Sequence, residues 1–171
     1  MSKLELIRAL YDYNEYANGR VLEAASKLSA DELERKQGAS FESVEGNLGH
    51  VMGGQVAWLE RWRGHKNRLP LTEVQSLRGL EAIGEAFAAS RADLQEFLSG
   101  LTEERLDSML AYRDSAGKPY ERVLWQLMLH VANHGSYHRA ETAMALTAMG
   151  QNPGDLDYVY FEISREAGHV G

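Results

Sequence analysis

A chain of 171 residues, 44% hydrophobic and 25% charged, is long enough to bury a sizeable core, and nothing in it marks a division of residues 1–171 into more than one domain. Its formal net charge of −7, with no basic run, argues against nucleic acid or an anionic membrane surface as a partner, because phosphate binding needs a basic face. It has no cysteine, which excludes disulfides and thiolate metal ligands. It also has no apolar run near the roughly 18–20 residues that span a bilayer and no uninterrupted apolar stretch in MSKLELIRALYDYNEY, so the expectation is a cytoplasmic protein.

In chain order, residues 3–28 predict a long amphipathic helix, with Ile7, Leu10, Tyr11, Asn14, Ala17, Val21, Ala25 and Leu28 at steps of three and four. Asn14 falls on that inward stripe, so it either lines a polar cavity or caps a neighbouring backbone group. Ser29–Glu32 reads as a turn into a short helical piece, and 37–41 as a polar loop. Ser43 is a predicted N-cap for a second long helix ending near Arg63, whose apolar face is Val44, Leu48, Val51, Gln55, Trp58, Leu59 and Trp62, with His50 on its flank. Gly46, Gly49, Gly53 and Gly54 lie in that helix, where each costs about 1 kcal/mol relative to alanine. Close approach of another helix, room for a ligand near His50, or a kinked or late-starting helix would each account for them.

A turn over 64–71 closes at Pro70, and a third helix follows from about Leu77 to Leu98, carrying Leu80, Ile83, Phe87, Leu94, Phe97 and Leu98 and no obvious chemical group. Thr102 is a predicted N-cap of a further short helical piece. Residues 108–120 break the helical period and predict a small β-hairpin turning over 114–117, with Pro119 at an edge position. The fourth long helix is expected from about Glu121 to Met149, ended by Gly150 with Pro153 beyond. The aromatic tail over 155–163 is expected to pack back on the helices, and the last residues, to His169 and Gly171, read as disordered. The expected fold is therefore all-α, an antiparallel four-helix bundle with a small β-hairpin before the last long helix.

Half of the six histidines stand in one stretch of that helix, LHVANHGSYH, at His130, His134 and His138. Residues four apart share a helix face, and here His134 and His138 sit where the pattern asks for apolar residues. His130 and His138 are about 12 Å apart along the axis, so they cannot share an ion. Either His130–His134 or His134–His138 is a candidate metal pair, with His50 the internal histidine available elsewhere, since His65 falls in a Gly-Lys-Asn loop and His169 in the tail. The bland alternative is a stack of inward histidines hydrogen-bonded to one another or to Asn14.

Three segments, YDYNEYANGRVLEAASKL, NLGHVMGGQVAWLERWRG and LWQLMLHVANHGSYHRAETAMALTAMGQNP, resemble the DinB/YfiT-like family over nearly the whole chain. The resemblance implies a divalent ion, zinc or nickel, held by His50, His134 and His138, with His130 in a supporting position. The family's Gly-Gln after His-Arg is Ala140-Glu141 here. Glu141 is then a candidate fourth ligand, a base, or, the favoured reading, an acceptor for an imidazole N–H. Asn14 and Tyr137 are further candidate helpers, Tyr137 directed towards a neighbouring subunit.

The resemblance also implies a metal-dependent enzyme acting on a small molecule, a thiol S-transferase using a low-molecular-weight thiol or a hydrolase, and a homodimer. Gly135 after His134 breaks the HExxH pattern, so the peptidase base is missing. The alternatives are a non-catalytic metal-binding or stress-associated protein, and an interaction module dimerising through the aromatic second helix with Trp58 and Trp62.

Overall fold

A computed structural model of the chain describes residues 1–38, 40–64, 77–114 and 116–168. The readings of His65, Pro70, the final residues at His169 and Gly171, and the middle residues of two loops, Ala39 and Ser115, lie outside the described residues.

Helix α1 spans Lys3–Ala25, and Ser2 and Glu5 cap it reciprocally at its N-terminus. It stops three residues short of the expected end, with Ser26 as its C-cap; Leu28 is buried all the same. The short helix α2 (Ala30–Glu34) follows Ser29, whose N–H donates to Glu32 Oε2 at 2.9 Å. Helix α3 (Val44–Trp62) is unbroken, and Ser43 Oγ accepts from the Gly46 N–H as expected. Helix α4 spans Leu80–Ser99 and starts three residues late, after Gly79 at φ 85°. Helix α5 (Glu103–Asp107) is capped by Thr102.

The hairpin pairs β1 (Met109–Arg113) with β2 (Pro119–Val123), in register from Met109↔Val123 to Arg113↔Pro119. Glu121–Val123 therefore belong to the sheet and not to the last long helix, which corrects the expected start. Pairing holds the chain extended as far as Val123. The Leu124 N–H then bonds back to the Ser108 carbonyl at 3.0 Å, and α6 runs over Leu124–Ala148. Gly150, at φ 80°, provides the left-handed residue after it, and the Gln151 N–H reaches the Leu146 carbonyl. The tail forms α7 (Tyr158–Glu166), whose Phe161 is buried against Tyr13 and Tyr16 of α1.

The protein is thus mostly helical with one two-stranded antiparallel sheet. Helix α6 packs on α1 and α3, and α4 packs on the same two helices. No described helix is long and apolar enough to cross a membrane. Two apolar clusters form the core. One gathers Val21, Leu48, Met52, Ile83, Phe87 and Leu146. The other gathers Tyr11, Leu59, Trp62, Leu94, Leu124 and Met128. Trp62 is fully buried there, and Trp58 is half-buried against Tyr112 and His130.

Along each long helix a polar residue separates the two clusters: Asn14 and Asn18 on α1, Gln55 on α3, Ser90 on α4, Arg139 and Thr142 on α6, all buried. Arg139 is only 2% exposed. Its Nη1 donates to Asn14 Oδ1 at 2.5 Å and Asn18 Oδ1 at 3.0 Å, its Nη2 donates to Ser136 Oγ, and its guanidinium lies over the Tyr13 ring. Gly135 makes this possible: a Cβ there would come within 2.7 Å of Arg139 Nη1 and 3.1 Å of Asn14 Oδ1. Replacing Arg139 by methionine removes the donor and leaves two buried amide oxygens without it. We expect urea denaturation to show a loss of about 2–4 kcal/mol, and an unchanged midpoint would show that the guanidinium does not hold α1 on α6.

Candidate metal centre

His134 and His138, one turn apart on α6, face α3, and their ring centroids are 4.6 Å apart. His50 comes from α3 to meet them, 4.9 Å from His134 and 4.6 Å from His138 between centroids. His50 Nε2 and His134 Nε2 are 3.1 Å apart, and one nitrogen of each of the three rings lies within 4.8 Å of the others. Gly54, one turn beyond His50, lies against the His134 ring, where a Cβ would make ordinary contact with its Cε1 at 3.6 Å. The second pair considered from the sequence, His134–His138, is thus the one that His50 joins. His130 stands outside the group, edge-on to Trp58 and 5.8 Å from the His134 ring.

Glu141 lies beside this group. Its Oε2 is 2.8 Å from His138 Nδ1, and its Oε1 accepts from Ser40 Oγ at 2.6 Å. Burial pushes the Glu141 carboxyl up, but the hydrogen bonds from Ser40 and His138 outweigh it and leave its pKa lowered. An ionised carboxylate only accepts, so His138 donates from Nδ1, which places the lone pair of the neutral ring on Nε2. Burial lowers the pKa of His50 to about 4, helped by the neighbouring His134 and His138 and opposed by Glu141. Burial likewise takes His134 to about 4, with His138 and His130 adding to it. Near neutral pH both rings are therefore neutral, the form that ligates a metal.

The other candidate helpers fall to either side. The side-chain oxygen of Asn14 is taken by Arg139, so Asn14 belongs to the buried polar layer. Tyr137 is 60% exposed and meets His138 edge-on at 4.9 Å. Two contributors were missed from the sequence. Phe41 stacks on His50 with centroids 3.6 Å apart and 17° between planes, and Ser40 holds Glu141. A lone aromatic two residues before an N-cap serine was the available signal for Phe41; Ser40 offered none.

The donor set suits a divalent ion. Two imidazole nitrogens on a tetrahedral zinc lie roughly 3.3 Å apart, given bonds of about 2.0–2.1 Å. The His50–His134 separation of 3.1 Å is close to that value. A carboxylate on the far nitrogen of a histidine is the usual support of a ligating ring, and Glu141 supplies it.

The sequence profile of the DinB family matches residues 1–168, and the chain belongs to that family. It is similar to Protein DinB of Bacillus subtilis (strain 168), with 25% identity over 159 residues, covering 87% of this chain and 89% of that protein. The family resemblance read from the three sequence segments is therefore correct.

The depressed histidines set a pH dependence for the metal-free protein. An unfolded chain protonates its histidines as pH falls through about 6.5, whereas folded His50 and His134 resist until about 4. The stability they contribute is present above 6.5 and is lost as pH falls from about 6.5 to about 4. Urea titrations of metal-free protein across that window should show falling stability, with a shallower slope in His134→Asn. Equal slopes would mean that His134 is not held neutral by the fold.

Proposed function

We propose that this protein binds one divalent ion, zinc or nickel, through His50, His134 and His138 and uses it on a small molecule, as a thiol S-transferase or a hydrolase. The observation that carries the reading is the convergence of three imidazoles from two helices, with nitrogens within 4.8 Å of one another. Glu141 supports it by fixing the tautomer of His138. A divalent ion held by three histidines supplies Lewis acidity and keeps a further coordination position for a small molecule or water. A low-molecular-weight thiol is the proposed partner of the transferase form, because a thiolate is a good ligand for such an ion.

The chain's own residues define the rest of the chemistry. His50 and His134 are neutral near pH 7, so no proton has to leave them before they ligate. Glu141 is engaged by both Ser40 and His138, which makes it a holder of the site and not a free base. The residue after His134 is glycine, so the general base of an HExxH peptidase is absent.

We read α1, α3, α4 and α6, each in contact with two of the others, as an antiparallel four-helix bundle, a frame that builds metal sites from facing helices. A homodimer belongs to the same reading, since Tyr137 and Met144 leave apolar surface exposed on α6. The second reading is a non-catalytic role, in which the ion rigidifies the protein by tying α3 to α6.

Elemental analysis of tag-free protein should find about one zinc or nickel per chain, and none in the triple variant with His50, His134 and His138 changed to alanine. Glu141→Gln should keep the ion but weaken it by about 10–100-fold in a chelator competition. Equal metal content in the triple variant and the parent would refute the site. A bound ion that raises the melting temperature but takes no exogenous ligand would favour the non-catalytic role.

A further inference from the structure

The segment before α3 touches two of the three histidines. The Phe41 ring lies flat on His50, with centroids 3.6 Å apart, and meets His138 edge-on at 5.4 Å. Its neighbour Ser40 holds Glu141, and Glu141 holds His138.

This segment is fixed at several points. The Phe41 N–H donates to Oδ1 of the fully buried Asn47, and the Phe41 carbonyl accepts from the Ser43 N–H at 2.7 Å. The next residue, Glu42, takes a left-handed backbone at φ 66°, uncommon for a side chain of its kind. Glu42 is tied down by the Gln37 N–H on its carbonyl at 2.7 Å and by Lys36 on its carboxylate at 2.9 Å. Gly46 lets the segment lie on α3, since a Cβ there would collide with the Phe41 carbonyl oxygen. These bonds hold the backbone beneath a ring that is 37% exposed and belongs to neither apolar cluster.

A cleft of about 410 Å³ opens on the outer side, walled in part by Phe41, Ser43, Gly46 and His50. It reaches His50 but neither His134 nor His138. Phe41 lines the cleft and also touches His138, which the cleft does not reach.

We propose that Phe41 is a specificity-determining residue of the metal centre: its ring limits by size the groups that pass from the cleft to the position shared by the three histidines. The inference rests on the metal-site reading above and adds a wall to it. Phe41 donates no electrons to the ion and takes no proton; it acts by occupying space beside His50 and His138.

The test uses the full chain loaded with cobalt(II), whose visible spectrum reports ligand binding, with azide as the small probe and 4-phenylimidazole as the bulky one. Parent protein should bind azide in preference. Phe41→Ala should raise the affinity for 4-phenylimidazole relative to azide by about tenfold or more, and Phe41→Leu by less. In metal-free protein, Phe41→Leu should also shift the His50 ring protons downfield in proton NMR, because they lose the shielding of the stacked phenyl face. Cobalt-loaded variants with the parent's probe ratio would overturn the inference and leave the metal site standing. A parent protein that takes up no ion would overturn the metal site, and this inference with it, even if the NMR shift confirms the stack.

Discussion

A guanidinium withdrawn from water must replace its hydration with hydrogen bonds, and Arg139 finds its interhelical ones on α1, through Asn14 and Asn18, beside one to Ser136 of its own helix. That requirement fixes the rotation of α6. Successive residues on a helix point about 100° apart, so a helix that turns residue 139 to α1 turns residues 134 and 138 away from it, towards α3. The histidine group is thus a consequence of where the arginine has to be. A glycine at 135 completes the arrangement by removing the one side chain that would hold α1 and α6 apart at this level. Apolar clusters above and below supply the burial that drives folding, while the polar layer between them sets which faces meet.

The same burial that stabilises this frame prepares the histidines. His50 and His134, drawn together at the edge of the core, do not easily carry protons, because each charge would be poorly solvated and would repel the next. His50 Nε2 and His134 Nε2 meet at a hydrogen-bonding distance of 3.1 Å. These two rings have little affinity for protons at neutral pH, and a divalent cation would meet acceptors on both. Glu141 biases the outcome by committing one nitrogen of His138 to donation, which leaves the other free to accept.

Much of this was legible in the sequence, and the reasons are periodic ones. The spacing of His134 and His138 dictates a shared face, and the apolar rhythm of α1, α3, α4 and α6 dictates their existence. Caps at Ser43 and Thr102 and the glycine at 150 were read from residue type alone, because each satisfies backbone groups that a helix end leaves open. What stayed hidden depends on contacts between distant segments. The start of α6 moved from Glu121 to Leu124 because strand pairing with Met109 outcompetes helix propensity, and propensity is all that a single segment declares. Arg139 carries a charge and reads as a surface residue until Asn14 and Asn18 are placed beside it. Ser40 and Phe41 sit in what reads as a polar loop, and only the fold brings them against α3 and α6.

Of the glycines of α3, Gly46 now has a physical reason. An alanine at 46 would push the Phe41 carbonyl off the helix, whereas a Cβ at 54 would only touch the His134 ring. Each glycine weakens the helix by about 1 kcal/mol relative to alanine, a cost that selection for stability alone would remove. The two positions flank His50, four residues before it and four after, so they lie on the face of α3 that carries it. Gly46 clears space for the segment that covers His50, and Gly54 lies against the histidine that meets it. A helix built only to fill a core would place bulk at those positions. Their smallness, with α3 unbroken between them, is what a face shaped to hold a site requires, and the kinked or late-starting helix that the sequence left open is not needed to explain it.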